Sequence, residues 1–119
     1  MSAAPFQRSA ASTPVIVVTE PDAALPVLPG AAILTIEPAL HDHAAGAECI
    51  ACASRGDVRV LLFDLLERSR RGLVPPYSSV IIDARKVNGP QAVIDRLIPG
   101  RQPAFGLRDH TVARSFHMV

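Results

Sequence analysis

The sequence predicts an α/β fold, with a small, mainly parallel sheet of about three strands and flanking helices. Two features support this prediction. Short, uninterrupted apolar runs rich in β-branched residues are typical of strands covered on both faces, as in parallel sheets. One longer segment instead repeats its apolar residues with the period of an amphipathic helix. The alternation of these patterns along the chain is the pattern of α/β domains.

The strand-like runs occupy residues 15–18, 32–36 and 79–83. They consist mainly of valine, isoleucine and other apolar residues, which favour strands. Several prolines separate the first run from the second, and Pro38 ends the second. The third run ends in the carboxylate of Asp83. We therefore expect three strands joined by connections long enough for parallel pairing.

The helical period extends from residue 57 to residue 71. Its apolar face consists of Val58, Leu61, Leu62, Leu65 and Leu66. Ser54 and Asp57 form an approximate capping box, and Gly72 occupies the position of a C-terminal glycine. We expect its charged residues to form mostly a solvated face. Two acid–base pairs have the i,i+4 spacing that stabilises a helix, Asp64–Arg68 and Glu67–Arg71.

Two further helices are expected nearer the C-terminus. A proline in the first turn favours a short helix over residues 90–97, and residues 107–116 form the last predicted helix. His110 and His117 lie in that region and are expected to be plain surface residues.

Length and composition predict one folded domain. The chain has 119 residues, of which 49% are hydrophobic and 19% charged. Residues 1–13 are small, polar and proline-containing, which is typical of a flexible N-terminal segment, and residues 14–119 form the single predicted domain. The mean hydropathy of +0.26 is high for a small monomer, so we expect part of the surface to face another subunit.

Several function classes are disfavoured by the composition. The net charge is +1, no basic stripe is present and tryptophan is absent, so a nucleic-acid partner is not expected. No apolar run reaches the length of about 18 residues that spans a membrane. The first residues lack the apolar segment of a signal peptide. The simplest expected location is therefore the cytoplasm, without membrane association.

Both cysteines occur in a C-x-x-C motif, Cys49 and Cys52, a few residues after His41 and His43. In a reducing compartment such a pair is more typical of free thiols or metal ligands than of a structural disulfide. The four side chains match tetrahedral Zn²⁺ in type, so zinc is the possible cofactor of the chain. The competing interpretation is two partly buried cysteines and two exposed loop histidines.

Redox chemistry and catalysis have weaker signals. Cys52 lies just before a predicted helix, but thioredoxin-like motifs directly follow a strand, and here Ser54 separates the pair from the helix. Asp83 is at a strand's carboxyl end, where α/β enzymes place functional groups. No nucleophile or partner base accompanies it, which favours a turn-capping role.

Residues 49–83 resemble a known family. The segment Cys-Ile-Ala-Cys-Ala-Ser-Arg-Gly-Asp at 49–57, the amphipathic helix, and Pro75-Pro76 before the third strand look like the middle of the CobW-type family of P-loop GTPases and metal chaperones. Residues 14–20 and 108–116 are similar to flanking parts of its GTPase domain. The resemblance implies a truncated P-loop-NTPase-like domain that begins after the family's first strand and P-loop.

Important motifs of that family are altered. Its C-x-C-C motif maps onto Cys49, Ala51 and Cys52, so one thiolate of a soft-metal site is missing. Its phosphate-sensing glycine maps onto Lys86, which places a side chain where backbone N–H should meet a γ-phosphate. Lys86 is the only lysine and Val87 follows it, so the chain contains no P-loop Lys-Ser/Thr pair. A guanine-reading Asn-Lys-x-Asp segment is also absent.

These observations predict a protein that is not an enzyme. The expected function is that of a degenerate CobW-like GTPase domain that self-associates, as a homodimer, and has a binding or scaffolding role. Three apolar parallel strands would leave a hydrophobic sheet edge that a second copy could cover. The alternative is a small metal-binding accessory protein that uses Cys49 and Cys52 with His41 or His43.

Overall fold

A computed structural model describes residues 12–37, 56–98 and 106–119. These residues form a four-stranded, all-parallel sheet with three helices, which confirms the predicted α/β fold. In chain order the elements are β1 (Thr13–Val18), β2 (Ala31–Thr35), α1 (Val58–Arg70), β3 (Ser79–Asp83), α2 (Gln91–Leu97), α3 (Gly106–Ser115) and β4 (Phe116–Met118).

The strand order is β2-β3-β1-β4, so the first strand of the chain is an inner strand of the sheet. Val15 lies opposite Val80 of β3 on one side and opposite Met118 of β4 on the other. On β2, Ile33 lies opposite Ile81. Each parallel pair requires a crossover, and the connections from β2 to β3 and from β3 to β4 carry the helices.

One face of the sheet packs against the helices. Helix α1 contacts both α2 and α3, so the three helices form one layer. Its apolar face fills the space above the inner strands, because Val58, Leu62 and Leu65 are buried together with Val15 and Val80. The buried core also includes Ile36, Ile82, Ala84, Val93, Val112 and Phe116.

The other face carries a row of isoleucines. Three isoleucines lie side by side here, on adjacent strands: Ile16 on β1, Ile81 on β3 and Ile33 on β2. None of them belongs to the buried core between the sheet and the helices. Ile81 is only 1% exposed, whereas Ile33 on the outer strand is 54% exposed. The apolar character of this face therefore continues to the β2 edge of the sheet.

Side-chain and backbone caps fix both ends of α1. Asp57 is the N-cap and its carboxylate accepts a 2.9 Å hydrogen bond from the N–H of Arg59. The capping box expected from Ser54 falls outside the described residues. At the other end Gly72 has φ +71°, its N–H donates to the carbonyl of Ser69, and Leu73 donates to the carbonyl five residues back. This Schellman motif confirms the predicted C-terminal glycine.

The surface of α1 is charged, with one exception. Asp64 pairs with Arg68 at 2.7 Å as expected, whereas Glu67 pairs with Arg70. Arg59 is buried, at 9% exposed, so the prediction of a mostly solvated charged face is wrong at this residue. Its Nε donates to the carbonyl of Arg96 in the last turn of α2 at 3.2 Å, and its Nη1 donates to the carboxylate of Asp109 in the first turn of α3 at 3.0 Å.

The fourth strand was not predicted. The helix expected over residues 107–116 is α3, which ends at Ser115, and Phe116 begins β4. Phe116 is 5% exposed and lies opposite Thr13 of β1. In a strand, the Phe116 side chain can enter the core between the sheet and the helices while the backbone forms hydrogen bonds to β1. A further turn of helix could not form those hydrogen bonds.

Candidate functional site

The carboxyl edge of the sheet is the candidate site. Strands β1, β2 and β3 end there at Val18, Thr35 and Asp83, which lie in register. The carboxyl ends of strands in open parallel sheets are where ligands commonly bind. The N-terminus of α1 lies at the same edge, since a Cβ added to Gly56 would be 3.2 Å from the carbonyl oxygen of Glu37.

Asp83 is held by Arg85 in a bidentate ion pair. The Nε of Arg85 donates to Oδ1 at 2.9 Å and Nη2 donates to Oδ2 at 3.0 Å. The backbone N–H of Arg85 also donates to Oδ1, at 3.1 Å. The remaining guanidinium nitrogen, Nη1, donates to the carbonyl of Ala23 at 2.8 Å. The pair therefore fixes the turn after β3 and fastens it to the segment that follows β1.

The chemistry of Asp83 follows from these contacts. Hydrogen bonds from the Arg85 side chain lower the pKa of this carboxyl group, against the opposing effect of its burial. A carboxylate with a lowered pKa and several accepted hydrogen bonds is a weak general base near neutral pH. The contacts match the turn-capping interpretation of Asp83.

Arg85 is the residue of this edge that the sequence interpretation missed. It stands two residues after Asp83, a spacing at which an Asx-type turn brings the backbone N–H of the later residue to the carboxylate. The guanidinium group of an arginine at that position can also donate hydrogen bonds to the carboxylate oxygens. The Asp-Ala-Arg triplet after a strand was therefore the available signal.

Lys86 lies in the same turn, where Val87 donates a backbone hydrogen bond to Ala84 at 3.2 Å. The side chain of Lys86 is exposed. The turn thus presents a cation to solvent at the position where the family resemblance would expect a glycine.

The predicted metal ligands Cys49, Cys52, His41 and His43 all lie outside the described residues. The structure places only the two ends of their segment, Glu37 and Gly56, which approach each other at the carboxyl edge. Within residues 12–37, 56–98 and 106–119, no group of three or more His, Cys, Asp and Glu side chains could hold a metal ion.

The other two histidines are on the surface, as expected. His110 is exposed on α3. His117 is exposed too, but on β4 rather than in a helical tail, and its Nδ1 lies 2.8 Å from the hydroxyl of Ser12. None of the helices in the described part of the chain is both long and apolar enough to cross a membrane.

Comparison of the chain with protein-family models, with curated proteins and with solved structures found no match. The fold and the geometry of the carboxyl edge therefore carry the functional argument.

Proposed function

We propose that the chain is a non-catalytic, self-associating α/β protein with a binding or scaffolding role, built on a degenerate CobW-like GTPase domain. The observation that carries this proposal is the Asp83–Arg85 pair. It occupies the end of the inner strand β3, where a nucleotide-hydrolysing domain would need a group that is available to a metal ion or a nucleophile.

The surrounding residues support the same conclusion. Phosphoryl transfer in P-loop enzymes uses a glycine-rich loop with a lysine and a hydroxyl residue, which neutralise phosphate charge and hold Mg²⁺. The only lysine of the chain is Lys86, and it lies in the turn after β3 instead. Among the described residues, the carboxyl edge thus has a cation in this turn, and the sequence has no P-loop lysine beside it to bind a phosphate.

Self-association is supported by apolar side chains at the surface. Ile33 is 54% exposed on the outer strand, and Val27 in the connection before that strand is 94% exposed. Exposed apolar side chains next to a sheet edge are typical of interaction surfaces. A second copy of the chain would remove them from water.

The proposal is tested by measuring nucleotide binding and mass on the same preparation. We expect no saturable binding of GTP with Mg²⁺ up to about 1 mM, the upper end of ordinary enzyme affinities. Light scattering should give the mass of a dimer. Tight GTP binding would overturn the non-catalytic assignment, and a stable monomer at all concentrations would overturn self-association.

The alternative is a metal-binding accessory protein that uses Cys49 and Cys52 with His41 or His43. One described feature favours it. Glu37 and Gly56 are held together by the fold, so the segment between them is already closed at its base. Closing a loop costs entropy, and a metal that joins ligands within a closed loop avoids part of that cost.

A further inference from the structure

We propose that two copies of the chain join through β2, which pairs antiparallel with β2 of the second copy about a twofold axis at Ile33. The result is one continuous sheet with the helices of both copies on the same face. This inference rests on the proposed self-association and names the surface that performs it.

The backbone of β2 offers hydrogen-bonding groups on its outer side. The carbonyl of Gly30 accepts a bond from the β3 side at 2.9 Å, and the N–H of Ile36 donates one to β3 at 3.0 Å. Alternate residues of a strand bond to opposite sides, so the even-numbered residues of β2 face β3. The backbone groups of Ala31, Ile33 and Thr35 therefore face outward.

Within the described parts of the chain, no strand lies beyond β2. The N–H of Ala31 is already bonded to the carbonyl of Leu28 at 3.2 Å. The outward groups that a second strand can use are the carbonyl of Ala31 and the N–H and carbonyl groups of Ile33 and Thr35. Only another extended backbone presents donors and acceptors at the matching spacing.

The strand also lacks the usual protection against such pairing. Edge strands of monomers commonly carry a charged residue, a proline or a bulge. The sequence of β2 is Ala-Ala-Ile-Leu-Thr, with no charge and no proline. Its central side chain, Ile33, is more than half exposed. These features favour an apolar, uncharged partner strand.

A second β2 meets this requirement by symmetry. With the axis at Ile33, each outward residue lies opposite an outward residue, because Ala31 faces Thr35 of the other copy. Each copy then donates from Ile33 and Thr35 and accepts at Ala31 and Ile33. The nearest charged residue along the chain, Glu37, lies opposite Pro29 of the other copy in this register, so the two Glu37 carboxylates are at opposite ends of the interface.

The opposite edge of the sheet is less suited to the same role. Strand β4 has three residues against five in β2, so it offers fewer backbone groups. Its middle residue, His117, contacts the hydroxyl of Ser12. The longer, uncharged β2 edge is the stronger site for self-pairing.

The test compares the dimer dissociation constants of the full chain and two variants by sedimentation equilibrium. Ile33→Lys places two like charges opposite each other and removes apolar burial, so we expect dimerisation to weaken about 30-fold or more. The matched control is Leu107→Lys, because Leu107 is an equally large side chain, 74% exposed, on α3. It should dimerise like the unmodified chain.

A second variant covers the case in which Ile33→Lys does not fold. Ile33→Cys, in a chain with Cys49→Ser and Cys52→Ser, should form an intermolecular disulfide on mild oxidation. Directly opposed, hydrogen-bonded residues have Cα atoms about 5.5 Å apart, within the range that a disulfide spans. Leu107→Cys in the same background should not cross-link.

The outcomes separate the interface from self-association itself. If Ile33→Lys folds and dimerises normally and Ile33→Cys does not cross-link, the β2 interface is wrong while self-association stands. If the unmodified chain is a monomer, both proposals fail. The β2 interface is supported if Ile33→Lys loses the dimer while Leu107→Lys keeps it, and if Ile33→Cys cross-links while Leu107→Cys does not.

Discussion

Two arginine–aspartate pairs show how burial determines the contribution of an ion pair to stability. Arg59 and Asp109 join α1 to α3 at 3.0 Å, with side chains 10% and 2% exposed. Asp64 and Arg68 form a shorter contact, 2.7 Å, with both side chains more than half exposed. Burial makes the first pair costly to break, whereas solvent screens the second.

The buried pair yields a stability prediction. Asp109→Ala should lower the free energy of unfolding by about 3–5 kcal/mol, because Arg59 would keep its charge in a site without that carboxylate. Asp64→Ala is the matched control and should cost less than about 1 kcal/mol. Urea unfolding of both variants checks the difference. Equal losses would contradict the assignment of Asp109 as the structural partner of Arg59.

The Asp83–Arg85 pair yields a prediction about pH. The folded-state pKa of Asp83 is lowered, first by the side-chain hydrogen bonds of Arg85, so its contribution to stability is present above the unfolded value of about 3.9. That contribution disappears as the pH falls through the folded-state pKa. Arg85→Ala removes the largest cause of the lowering and leaves burial, which raises the pKa. The folded-state pKa then lies closer to the unfolded value, so Asp83 should contribute less to the loss of stability in acid.

Urea midpoints measured at several pH values would follow this change. Arg70→Ala is the control, because Arg70 instead pairs with Glu67 on the exposed surface of α1. Its pH profile should match that of the unmodified chain. An unchanged profile for Arg85→Ala would contradict the structural role of the pair.

At the residue scale, the sequence predicted local pairs better than distant ones. Asp64 and Arg68 are four positions apart on one helix, so their spacing alone predicts the contact. Arg59 meets a carboxylate fifty residues away, and a charge on a helical pattern is normally solvated. Only the packing of α3 against α1 shows that this arginine is inside.

At the element scale, helix α1, which has a strong local sequence pattern, was predicted correctly. Strand β4, which depends on tertiary pairing, was not. Helix α1 has a clear apolar period and a glycine at its C-terminal end, and both features are in the structure. Strand β4 has only three residues and directly follows a helix. Its strand conformation depends on the free edge of β1, which no local pattern encodes.

The segment between β2 and α1 carries the candidate metal ligands, so the alternative function predicts the zinc content of the protein. If it binds metal, purified protein should contain about one equivalent of zinc, which Cys49→Ala with Cys52→Ala removes. The control is His110→Ala with His117→Ala, which should retain zinc because neither histidine belongs to that segment. Metal-free protein that folds equally well would contradict the alternative function.

At the scale of the whole molecule, the proposed self-association would make thermal stability depend on protein concentration. A dimer dissociates as it unfolds, so mass action raises its Tm by about 5 °C for a hundredfold rise in concentration. Circular dichroism melts over that range would measure the slope. The slope should vanish in Ile33→Lys, whereas a flat response of the unmodified chain would contradict a dimer.

The strand order has a consequence for synthesis on the ribosome. Strand β1 pairs with β3 and β4 but not with β2, so its first partner is made more than sixty residues later. At ordinary translation rates this delay lasts about 3–13 s. Throughout it, Val15 and the three apolar residues that follow lack both strands that flank them in the folded sheet. Chaperone supply and translation speed between β1 and β3 should therefore govern the soluble yield of the protein.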